Sequence, residues 1–108
     1  MCVALSSGTS AVMYSLINIM SQGDNFVTAN QLYGGTYTMF DNILPEYGID
    51  SKKVDITDLA AVKNAIDDKT RAIYCETITN PGLVVADISA LSEIAHSKGI
   101  PLIVDATF

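Results

Sequence analysis

Apolar positions in this chain fall into runs of two kinds, and the two alternate. The long runs have helical length. "TSAVMYSLINIMS", Thr9 to Ser21, is apolar almost all round, which predicts a helix buried on more than one side. "YGGTYTMFDNILPEYG" contains a helical stretch expected to stop near Pro45. "DLAAVKNAI" predicts a helix with Thr57 or Asp58 as N-cap. "DISALSEIAHSKG" predicts another, with Asp87 as N-cap, Ile88, Leu91 and Ala95 on one face, and Gly99 as the stop. The short runs have strand length: "NFVTA", the outer-strand candidate "SKKVDI", "RAIYC" and "IPLIVD".

Short apolar strands separated by helices predict an α/β fold, with a parallel or mostly parallel sheet covered on both faces. Ligands of such sheets bind beyond the carboxyl ends of the strands. The loops after "TA", "AIYC" and "LIV" are therefore where polar residues carry the most meaning. No internal repeat, low-complexity tract or interdomain linker interrupts the 108 residues, which suit one domain or a piece of one.

Composition narrows the function. The net charge is -6, from 12 acidic and 6 basic residues, and Lys52-Lys53 is the only adjacent basic pair. Nucleic-acid binding is not expected. No apolar run approaches the ~18 residues of a membrane span, so no membrane partner is expected. Cys2 and Cys75 have no metal-ligand spacing and form no disulfide framework. A reducing, cytoplasmic setting follows as an expectation. Cys75, inside "AIYC", reads as a small buried hydrophobe, and His96 as a solvated surface residue. No cluster of His, Cys or carboxylates suggests a metal.

Four stretches carry candidate chemistry. In "SSGTSA", serines and a glycine precede the long apolar helix. A helix N-terminus offers unpaired N–H groups and partial positive charge, which suits a phosphate. The same stretch also reads as ordinary capping by Ser7. In "YGGTY", an aromatic followed by two glycines lets the Tyr33 ring stand over a flat ligand, or simply marks a turn. "ETITNPG" places Glu76 and Asn80 at a strand end, for a polar ligand or for an Asn-Pro-Gly turn. Asp105 ends "PLIV". An ionised carboxylate there calls for a cationic partner, unless Asp105 is a cap or turn residue.

In order, "SSGTSA", "LYGGTY", "ETITNPGL" and "IVDATF" resemble the pyridoxal-phosphate enzymes of cysteine and methionine metabolism, across nearly the whole chain. Within that family "LYGGTY", "ETI" and "NP" most resemble the O-acetylhomoserine sulfhydrylases. The resemblance implies a fold-type I enzyme, with residues 1–108 forming part of its large cofactor domain. It implies that Gly8 and Thr9 bind the cofactor phosphate through their N–H groups. Tyr33 would stack on the pyridine ring, its hydroxyl assisting proton transfer. Asn80 would bond the ring hydroxyl, Asp105 would pair with the protonated ring nitrogen, and Thr107 would sit near the ring face.

The implied reaction replaces acetate on the γ-carbon of an amino-acid substrate with sulfide or a thiol, giving homocysteine or methionine. Methionine or cystathionine γ-lyase and cystathionine γ-synthase are alternatives within the family. A non-catalytic binding or oligomerisation module is the alternative outside it. Ala106 departs from the family, whose usual residue there is asparagine. The family's N-terminal arm, Schiff-base lysine and C-terminal domain have no counterpart here. The chain alone is therefore expected to be an internal piece, inactive and prone to self-association, of a homotetramer when intact.

Overall fold

Four short runs become four strands of one all-parallel sheet, β1 Asn25–Ala29, β2 Asp50–Val54, β3 Thr70–Glu76 and β4 Leu102–Asp105. The computed structural model describes residues 1–108. The strand order is β2-β1-β3-β4. β1 is buried along its whole length and β3 at every position but Arg71, as befits the two central strands. β2, read as an outer strand, lies at one edge.

Helices fill the connections: α1 Gly8–Ile17, α2 Gly34–Thr38, α3 Leu59–Ala65 and α4 Ile88–Ser97. The caps are the expected ones. Ser7, Asp58 and Asp87 each accept the N–H three residues on, at 3.1, 3.0 and 3.0 Å. Gly99, past the end of α4, takes a left-handed φ of 70°.

Handedness sets the layers. The path β1 to β2 steps one way along the sheet, whereas β2 to β3 and β3 to β4 step the other way. Right-handed crossovers in opposite senses lie on opposite faces. α3 and α4 accordingly pack together, and α2 packs with α1. On the α2 side, Phe40 meets Phe26 and Tyr74 edge-on, with centroids 4.8 and 5.2 Å apart. These rings belong to one core of 21 buried apolar residues.

Two expectations need correction, and a third gains detail. α1 is buried on one side only: Val12 and Leu16 are buried, while Tyr14 stays 54% exposed. An all-apolar sequence cannot bury more faces than its neighbours cover. The helical path after Tyr33 stops near Pro45, as expected, but by stages, ending at Tyr47. It widens over Met39–Ile43 and tightens into a 3-10 turn, Leu44–Tyr47. Pro45 sits in the first positions of that turn, where a missing N–H leaves no bond unmade. Ile88 is exposed, and Ile94 joins Leu91 and Ala95 on the buried face of α4.

Candidate functional site

The order of the sheet reverses between β1 and β3, and the crevice beyond the carboxyl ends at such a point is the usual ligand site. A cavity of about 370 Å³ opens there. Ligand cavities span roughly 300–1,000 Å³. The six residues singled out in the sequence, Gly8, Thr9, Tyr33, Asn80, Asp105 and Thr107, all line it, with Thr36 and Glu76 beside them.

The start of α1 forms one wall. Ser7 is extended and its hydroxyl accepts the Ser10 N–H, while its carbonyl accepts that of Ala11 at 3.0 Å. The N–H groups of Gly8 and Thr9 are left with no partner in the chain. A Cβ on Gly8 would meet nothing within 4 Å, so the approach is open.

Tyr33 follows β1 and stands 54% exposed at the N-cap of α2. Its ring crosses the space where Gly35 lacks a side chain. A Cβ there would lie 2.9 Å from Tyr33 Cε1. The glycine pair expected beneath an aromatic is thus used at Gly35.

Asp105 ends β4. Its Oδ1 accepts the Thr107 N–H at 3.0 Å and the Thr107 hydroxyl at 2.5 Å, and its Oδ2 accepts the Tyr74 hydroxyl at 3.3 Å. Burial pushes the Tyr74 phenol far above its usual range, and the charges of Asp105 and Glu76 push it the same way. The hydroxyl therefore stays a donor. The three ion pairs of the chain, Lys52–Asp67, Lys53–Asp41 and Arg71–Asp24, leave out Asp105.

Two features escaped the sequence. Glu76, read as a residue for a polar ligand, points both carboxylate oxygens at backbone: Oε1 accepts the Tyr33 N–H at 2.8 Å and Oε2 that of Asn80 at 3.1 Å. Tyr74 reads as core within "AIYC", yet its hydroxyl reaches Asp105. The available signal was a tyrosine inside the apolar run "AIYC", since a buried phenol needs a partner. The bond between Asn80 and Pro81 is cis.

The family model described as "Cys/Met metabolism PLP-dependent enzyme" matches residues 1–108. The chain belongs to this family. Among its relatives, the homocysteine synthase of Schizosaccharomyces pombe is 47% identical over 98% of this chain and 25% of its own length. The methionine gamma-lyase of Arabidopsis thaliana is 45% identical over 95% of this chain and 24% of its own length. A solved structure, the O-acetylhomoserine sulfhydrylase of Wolinella succinogenes, superposes with a TM-score of 0.92 at 44% identity. It covers 95% of this chain and 29% of that one. This Cys/Met metabolism chain spans about a quarter of the length of the curated relatives it matches.

The residues present suit pyridoxal phosphate, the cofactor of the family. Two free N–H groups at a helix start suit a phosphate. A half-exposed tyrosine ring suits a flat heterocycle. A carboxylate held by three hydrogen bonds, with no cation of the chain beside it, suits a protonated ring nitrogen.

Proposed function

We propose that the whole protein is a pyridoxal-phosphate-dependent O-acetylhomoserine sulfhydrylase, and that this cavity is its cofactor site. The observation that carries the reading is Asp105, fixed by Tyr74 and Thr107 in a cavity that also holds a free helix N-terminus. In this reading Gly8 and Thr9 donate to the phosphate, and Tyr33 covers the ring. Asn80 bonds the ring hydroxyl, and Asp105 keeps the ring nitrogen protonated. Thr107 braces Asp105 beside the ring face. The bound cofactor supplies an electron sink for carbanion chemistry. In the same reading, the hydroxyl of Tyr33 hands a proton to or from substrate.

The reaction breaks the γ-carbon–oxygen bond of O-acetylhomoserine, releases acetate, and forms a carbon–sulfur bond to sulfide or a thiol. The lysine that binds the cofactor covalently belongs, on this reading, to a part of the protein other than residues 1–108. A homotetramer in the cytoplasm completes the proposal.

A γ-lyase is the second reading, favoured by the similar identity to the Arabidopsis methionine gamma-lyase. One assay separates them. The full-length protein is loaded with pyridoxal phosphate and given O-acetylhomoserine with sulfide, then methionine alone. Homocysteine from the first and little α-keto acid from the second is expected. Dominant α-keto acid release from methionine would replace the sulfhydrylase with a lyase.

A further inference from the structure

We infer that Glu76 is a positioning residue that locks the cofactor-facing loops on either side of the sheet's reversal point into one frame. This rests on the cofactor reading above. β1 and β3 are adjacent, but the chain leaves β1 towards one edge and β3 towards the other. Their exit loops carry Tyr33 and Asn80 and belong to different crossovers. Pairing between the strands stops before either residue. Beyond that point, Glu76 supplies a tie between the two loops. One oxygen takes the Tyr33 N–H at 2.8 Å and the other the Asn80 N–H at 3.1 Å.

The residue type answers to the task. Two N–H groups from different loops need two acceptors on one short side chain. A carboxylate offers two acceptor oxygens and no donor, while a glutamine amide offers one oxygen and an N–H₂. Glu76 is also 5% exposed and takes part in none of the chain's ion pairs. Burying a carboxylate without a cation opposes stability. A position chosen for stability alone favours an apolar residue, so the carboxylate points to function. Its effect passes through backbone. The Tyr33 N–H opens α2 and sets the direction of the ring over Gly35, and the Asn80 N–H sets the turn that carries the amide.

The test uses the full-length protein with Glu76→Gln and, as a second variant that keeps two acceptors on a shorter arm, Glu76→Asp. Hydrogen exchange read by mass spectrometry over 30–36 and 77–82 reports the tie whether or not a cofactor binds. Exchange about tenfold faster is expected in at least one window for Glu76→Gln, which keeps one acceptor oxygen, and in both for Glu76→Asp, whose arm is too short to span the two loops, with β1 and β3 interiors unchanged. Visible circular dichroism during pyridoxal-phosphate titration reports how the ring is held. About tenfold weaker binding and a smaller visible band are expected in the same variants. Unchanged exchange in both windows overturns the inference. So does faster exchange throughout the sheet, which means a general stabilising role. Faster exchange with an unaltered titration also overturns it. If the unsubstituted protein gives no visible band with pyridoxal phosphate, the cofactor reading fails, and the exchange result alone decides whether Glu76 ties the loops.

Discussion

The Tyr74 hydroxyl donates to Asp105 Oδ2 at 3.3 Å, across the parallel β3–β4 pair. A fully buried core residue thereby holds a carboxylate that faces the cavity. Tyr74→Phe keeps the edge contact with Phe40 and removes the bond. Stability is expected to fall by about 1 kcal/mol in denaturant melts, the net worth of one such bond. Pyridoxal-phosphate binding is expected to weaken as well. Unchanged stability and unchanged binding together would show that the hydroxyl does nothing for Asp105.

Gly35→Ala tests the space under Tyr33. The new methyl would lie 2.9 Å from the ring, which has to swing away. The backbone there is helical, and alanine improves helix propensity by up to about 1 kcal/mol. Unchanged or higher thermal stability with weaker cofactor binding is therefore expected. Binding equal to that of the unsubstituted protein would refute the stacking geometry.

Thr28 is buried in β1 with its hydroxyl lacking a hydrogen-bond partner. Valine has nearly the same shape and no polar group to leave unpaired. Thr28→Val is expected to raise stability by about 1 kcal/mol, read as a higher denaturant midpoint at constant slope. A lower midpoint would mean that the hydroxyl is satisfied after all.

Burial pushes the Cys75 thiol up to about 11 from the ordinary 9.0, and the charge of Glu76 adds to the shift. As pH rises past 9.0 the unfolded chain loses this proton first. The thiol's contribution to stability is thus complete below that pH and disappears as pH rises through about 11. Cys75→Ala is expected to flatten the decline of the melting temperature over that window. Labelling the native protein near neutral pH is expected to mark the exposed Cys2 and spare Cys75. Equal labelling of both would contradict the burial.

The legible parts of this fold are those fixed by neighbours in sequence. Three of the strands showed as apolar runs, and Ser7, Asp58 and Asp87 announced their helices as capping residues do. Candidate site residues showed only when "SSGTSA", "LYGGTY", "ETITNPGL" and "IVDATF" were read together and in order, since each stretch alone reads as readily as a cap or a turn. What stayed hidden depends on partners far along the chain. The exposure of Tyr14 and Ile88 is decided by which elements cover them. The turn of Glu76 toward backbone depends on Tyr33, 43 positions away. The Tyr74–Asp105 bond spans 31 positions and needs β4 in register with β3. Local pattern holds no information on such distances.

The reversed strand order also governs when the cavity can exist during folding. β1 must pair with β3 after α2, β2 and α3 have intervened, so the crevice closes over a long loop of chain. Such non-local pairing is entropically late. A small molecule that recognises this crevice therefore has nothing to bind until the central strands have zipped together. Its occupancy becomes a readout of completed assembly, and its binding energy adds to the native state alone.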